Sequence, residues 1–303
     1  WELLKMGINT EKIKGIATNS KDAIVKALDQ DGNGQIDSVD IILLALKVPG
    51  VKIDRAKFLQ KELFKNHPQD VIDRAIETTP AQAGIASEEV DKIADEVIKF
   101  ERNAVSGISV ALGMPGGVAM AATIPADIAQ YYGYMIRAAQ KLLYLYGFPE
   151  LDTSDEAIAL DTETINSLTV CLGVMYGVAN ANNAIKAMAK ALAGGVEKQL
   201  MKKALTKGAI YPIVRAVGKW FGVRMTKEIF AGFFKKAIPV VGGVVGGGIT
   251  YASFKPCCYR LKDVLQDTML SNPNHESSEE ENKIFYDIEA EYVEVKDGIS
   301  QSN

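Results

Sequence analysis

Three stretches without a charged side chain, 104–126, 164–185 and 237–254, constrain this chain more than any other feature of its sequence. Each approaches the roughly 20 residues that an α-helix needs to cross a hydrocarbon core. Their contents argue against plain spans: Met114-Pro115-Gly116-Gly117 interrupts the first, Asn180, Asn182 and Asn183 weaken the second, and glycines crowd the third. Each also carries glycines four residues apart, Gly113 with Gly117, Gly173 with Gly177, and Gly242 with Gly246. On a helix that spacing makes a flat stripe across which two backbones approach closely. Two readings follow, tight packing inside a folded core or helices that touch or partly enter a bilayer. No strand-like alternation precedes the C-terminal tail, so the expected fold is all-α, a Gly-rich helical core between an N-terminal helix-loop-helix and an acidic tail.

The helix-loop-helix carries the sharpest local pattern. Residues 29–40 follow the spacing of an EF-hand cation loop: Asp29, Asp31, Asn33, Asp37 and Asp40 present side-chain oxygens, Gly34 supplies the sharp turn, and Gln35 offers its backbone carbonyl. Ile36 fills the apolar slot through which EF-hand loops usually pair. Such a set of hard oxygen donors suits Ca2+ or Mg2+. Asp40 stands where calcium sensors carry a bidentate Glu, and its shorter arm lowers calcium affinity and favours magnesium. One such loop is recognisable, so it pairs between two chains, binds weakly or is vestigial. Short helices are expected over 22–28, 38–47, 54–66 and 70–77, stopped by Pro49-Gly50 and Thr79-Pro80.

A net charge of −4 conceals a steep separation along the chain. Between 186 and 236, twelve Lys and Arg stand against Glu197 and Glu228, with Trp220 and Phe221 among them. Basic charge with interleaved aromatic rings fits an anionic lipid surface, with Lys202, Lys203 and Lys207 as headgroup contacts and Tyr131 and Tyr132 as interfacial rings. No nucleic-acid reading module is recognisable, so nucleic acid is not an expected partner. Residues 271–303 carry nine acids against Lys283 and Lys296. Beyond the linker Ser271-Asn272-Pro273-Asn274, apolar and acidic residues alternate over 284–295. A disordered tail with a short strand-adding segment is expected, docking on a protein partner or folding over the chain's own basic block.

Two longer helices are legible in the core. Ser87 opens one through Phe100, with Val90, Ile93, Ala94, Val97 and Phe100 on one side. Another covers 128–146, with Thr123 and Pro125 in its first turn, five tyrosines along it, Arg137 and Lys141 on its other side, and Gly147-Phe148-Pro149 closing it. The tyrosines suit a core, a membrane interface or the lining of a ligand pocket.

Enzyme chemistry finds little footing. The two histidines, His67 and His275, lie beside a proline and in the acidic tail. Gly107-Ile108-Ser109-Val110-Ala111 falls one residue short of a nucleophile elbow, and no phosphate-cradling glycine loop occurs. Three cysteines build no disulfide framework, nothing at the start resembles a signal peptide, and a reducing cytoplasm is the expected compartment.

Met120-Ala121-Ala122-Thr123-Ile124-Pro125-Ala126-Asp127 running into Tyr131-Tyr132, then Gln140-Lys141-Leu142 through Tyr146-Gly147, and later Ala237-Ile238-Pro239-Val240-Val241-Gly242-Gly243, together resemble the EcsC family of bacterial proteins over about residues 88–270. The resemblance implies a mostly helical, membrane-associated bacterial protein and carries no catalytic residues. The EF-hand-like loop lies outside it.

These readings describe a non-enzymatic protein of the cytoplasm, peripheral at the membrane. Its expected parts are an EF-hand-like and small helical module (1–83), a helical core (84–270) and an acidic linker and tail (271–303). The alternative is a soluble carrier of lipid or another hydrophobic ligand, with a pocket lined by tyrosines of the 128–146 helix.

Overall fold

The computed structural model describes residues 25–112, 120–153, 162–196, 198–236 and 242–300. Among them every regular element is a helix, so the chain is all-α as its periodicities predict. In order these are α1 (Ser38–Leu46), α2 (Arg55–Leu63), α3 (Gln69–Glu77), α4 (Ser87–Leu112), α5 (Met120–Leu145), α6 (Thr162–Tyr176), α7 (Ala181–Ala193), α8 (Lys198–Thr206), α9 (Tyr211–Lys236), α10 (Gly242–Gln266) and α11 (Glu279–Ser300).

Local chemistry sets the helix ends. Asp37 caps α1 and forms a capping box with Asp40, while Asp54 caps α2 by accepting from the Lys57 amide at 2.9 Å. Helix α5 stops where Gly147 turns to φ +92 and the Phe148 amide reaches back to the Leu143 carbonyl at 2.9 Å. Its start differs from expectation. The helix begins at Met120, so Pro125 is its sixth residue, just past the four leading amides that have no intrahelical partner, and removes one backbone bond from the ladder.

Helices α5 and α6 are the spine. Helix α5 packs against α1, α2, α4 and α10, and α6 packs against α1, α7, α8, α9 and α10. The apolar interior is continuous: Leu28, Ile41 and Leu59 belong to the same buried cluster as Leu142, Met175 and Phe221. No gap in packing therefore separates the N-terminal helices from the core near residue 83.

Gly173 shows why glycine spacing matters here. A Cβ on it would meet Val217 Cγ2 at 2.6 Å and Ala181 Cβ at 3.0 Å, so α6 approaches its neighbours as only a bare backbone can. Gly177, four residues on, serves differently, ending α6 at φ +70 with nothing near a would-be Cβ. Gly113 and Gly117 lie outside the described residues; Gly242 and Gly246 fall in the first turns of α10, where the surroundings also lie outside them.

Two buried charged side chains tie elements together. Arg55 donates to the carbonyls of Ala75, Ile76, Thr78 and Phe148, closing the end of α3 and the loop after α5. Glu101 is fully buried and takes Lys141 at 2.6 Å and Arg137 at 3.2 Å, bolting α4 to α5. Phe100, expected on the buried side of α4, is 61% exposed and instead lies over the Lys141 ammonium, 5.6 Å from its ring centre.

The tail corrects the sequence reading. From Glu279 it is helix α11, packed on α7 and α8, neither a disordered segment nor a strand over its described part. Glu281, Ile284, Phe285 and Ile288 turn inward at helical spacing, a period hidden inside the apparent alternation. Three acids in its first turn complement the positive helix end. His275 anchors it, with Nδ1 at 2.8 Å from Asp267 and Nε2 at 2.9 Å from the buried Glu281.

Candidate cation-binding loop and its surroundings

The 29–40 loop curls through glycines and self-bonded Asx side chains. Gly32 and Gly34 sit at φ +73 and +81, conformations that L side chains adopt only with strain. Asp31 Oδ1 accepts from the Asn33 amide at 3.1 Å, Asn33 Oδ1 from the Gln35 amide at 2.7 Å, and Asp29 Oδ2 from the Gly34 amide at 3.0 Å. The turn brings carboxylate oxygens of Asp29, Asp31 and Asp40 within 4.8 Å of one another. Asp29 Oδ1 is shielded from solvent and meets no hydrogen-bond donor.

The remaining expected ligands stand apart from that trio. Asn33 and Gln35 are exposed, and Asn33 Nδ2 donates to Asp31 Oδ2 at 2.8 Å. Asp37 caps α1 through the Val39 amide at 2.7 Å. Asp40 carries two duties: fully buried, it accepts from the Gln30 amide at 2.6 Å and from the Asp37 amide at 2.9 Å, so its short side chain closes the loop as well as facing Asp29 and Asp31. Burial first, and then the nearby Asp31 charge, push the Asp37 and Asp40 carboxyls above the ordinary range. Acids crowded out of water in this way favour a cation among them.

The pairing slot is used in an unexpected manner. Ile36 is buried, and its carbonyl packs on α9 so closely that a Cβ on Gly222 would stand 2.8 Å from it; one on Gly218 would stand 3.4 Å from Ser38 Oγ. This glycine pair, also four residues apart, is the seat of the loop. The pair lies within the basic block, where the flanking sequence gives it no uncharged stretch to mark it.

The residues expected to meet lipid divide sharply. Lys202 and Lys207 are exposed and Lys203 is half-buried, along α8 and just beyond it. Phe221 and Tyr132 are buried, and with Tyr131, Tyr176, Trp220 and Phe254 they form one interior cluster with ring centres 5.2 to 6.4 Å apart. Tyr131 bonds Ser253 at 3.1 Å, and burial raises its hydroxyl to about 12. These aromatics hold α5, α6, α9 and α10 together and present no interfacial belt, because the apolar demand of the helix junction outcompetes the surface. Part of the basic block is engaged internally. Lys186 pairs with Asp267 at 2.6 Å, and Lys190 bonds Ser277 and Asn282 at the foot of α11. Among the described residues no helix is long and apolar enough to cross a membrane. Comparison with protein-family models, with curated proteins and with solved structures finds no match to this chain.

Proposed function

We propose that this protein binds a divalent cation in its 29–40 loop and uses it to set how the loop and α1 sit on a helical body that associates peripherally with anionic lipid. The observation that carries the reading is Asp29 Oδ1, a carboxylate oxygen shut off from water and from every donor while facing two further carboxylates. A charged acceptor in that position costs free energy unless a cation completes it. Asp29, Asp31 and Asp40 are the first ligands, with Asn33, Asp37 and the Gln35 carbonyl supplying the others after modest reorientation. The short Asp40, already engaged with loop amides, favours Mg2+ or weak Ca2+ binding.

Support for lipid comes from exposed cations spread over α8 and the first half of α9, Lys202, Lys207, Arg215 and Lys219. Each Lys or Arg near an anionic surface contributes about 1 kcal/mol. The short motifs that resemble the EcsC family imply the same place at the membrane.

Calorimetry with Ca2+ and Mg2+ tests the first half: the wild type binds one ion per chain and Asp29→Ala loses it. Failure of both ions to bind the wild type removes the cation role. For the second half, the chain sediments with vesicles containing phosphatidylserine at low salt, and neutralising Lys202, Lys207, Arg215 and Lys219 together releases it. Equal sedimentation with zwitterionic vesicles, or no salt dependence, removes the lipid role.

A further inference from the structure

Helix α11 lies on α7 and α8, and its charge is opposite to theirs. Eight acids against Lys283 and Lys296 make Glu279–Ser300 strongly anionic, whereas α7 and α8 carry Lys186, Lys190, Lys198, Lys202 and Lys203 and no acid. Lys202 belongs to the cations assigned above to an anionic lipid surface, so that surface and the seat of α11 meet on α8.

The docked helix is lightly held. Ile288 is its one wholly buried apolar side chain among the described residues, while Ile284 and Phe285 are half-buried and Tyr286 is exposed. Polar contacts supply the rest: Glu281 beside His275, and the Lys190 ammonium, which bonds Ser277 and Asn282 and stands 4.8 Å from the Phe285 ring centre. By contrast, α5 buries Met135, Ile136, Leu142, Leu143, Tyr144 and Leu145. An element with so little buried apolar surface opens locally at a lower free energy than the spine does. Docked, α11 lays an anionic helix along a cationic one, which offsets the pull of those lysines on an anionic surface and is itself repelled by it. Undocked, it releases Lys190 from Ser277 and Asn282 and bares the apolar strip on which Ile288 rests.

We infer that α11 and anionic lipid compete for one face of the molecule, that of α7 and α8, so that lipid is met by the fraction of chains whose α11 has left its seat. This rests on the lipid reading above and adds to it the surface and its cover. Apparent affinity is the affinity of the uncovered face multiplied by the uncovered fraction, so a tenfold larger fraction tightens binding about tenfold.

Ile288→Ala enlarges that fraction without altering any charge. The full-length wild type and variant are sedimented with vesicles of phosphatidylserine and phosphatidylcholine across a lipid titration, and hydrogen exchange is followed with and without saturating vesicles. The variant binds at about tenfold less lipid, and in the wild type α11 loses protection on vesicles while α5 and α6 keep theirs. Should Ile288→Ala fail to fold by circular dichroism, Asn282→Ala, which cuts a bond of Lys190 at a half-buried position, replaces it with the same expected direction. Wild-type binding without a gain in the variant, or an α11 still protected on the vesicle, overturns the competition and leaves the lipid reading standing. No binding by either chain removes both, and binding by the variant alone supports the cover in its tightest form.

Discussion

At Arg55 one side chain answers four backbone carbonyls, those of Ala75, Ile76, Thr78 and Phe148, within a site almost closed to water. Removing it strands several acceptors, at about 1 to 3 kcal/mol each where they stay dry. Arg55→Met is expected to lower unfolding free energy by about 3 kcal/mol or more in urea titrations, and Arg55→Lys to recover little, because an ammonium cannot span the same fork. The two glycines of α6 separate by mechanism. Gly173→Ala forces a methyl group into Val217 and costs about 1 to 3 kcal/mol by overpacking. Gly177→Ala meets no neighbour and costs about 1 kcal/mol, purely from its left-handed backbone. A double variant with Val217→Ala rescues the first and leaves the second untouched, read as melting temperatures.

Among the elements, α11 and the cation loop are each held by a contact that can be cut. Glu281 is fully buried, and it meets the His275 ring and the Ser277 hydroxyl. His275→Leu leaves that carboxylate buried without its ring partner, a loss of about 1 to 3 kcal/mol for a buried acceptor stripped of a hydrogen bond. Hydrogen exchange should then rise across α11 while α5 and α6 stay protected. The loop rests on α9 through the close approach of Ile36 to Gly222. Gly222→Ala pushes on a backbone carbonyl that has no rotamer to escape by, so cation affinity falls several-fold although no ligand is changed. An unaltered titration for that variant would separate the loop from its seat.

For the molecule as a whole, the loop acids make stability depend on pH and on cation together. Burial and Asp31 raise the Asp37 and Asp40 carboxyls, so the folded state prefers them protonated. Their contribution is full below the ordinary carboxylate range and is lost as pH rises through the raised values. Neutral pH is therefore where the cation-free protein bears the whole penalty. Added Mg2+ or Ca2+ is expected to raise the melting temperature more at pH 7 than at pH 4.5. Asp267 runs the other way, lowered to about 2 by Lys186 and then His275, and its share survives until strong acid. A melting curve indifferent to cation at both pH values would contradict the loop argument.

Helical class, the helix starts near Ser38 and Asp54 and the stop at Gly147 were legible in the sequence, because each rests on contacts within a few residues. Short-range geometry needs only φ, ψ and neighbouring side chains. What the aromatics do was not legible: Tyr131, Tyr132, Trp220 and Phe221 have an amphipathic body equally fit for lipid or core, and only the meeting of four helices commits them inward. The same holds for α11, where apolar residues satisfy both a strand and a helix period until α7 and α8 offer a groove. Gly222 under Ile36 and the Arg55 fork arise between residues far apart in the chain, and burial against a distant partner is a property that tertiary structure alone decides.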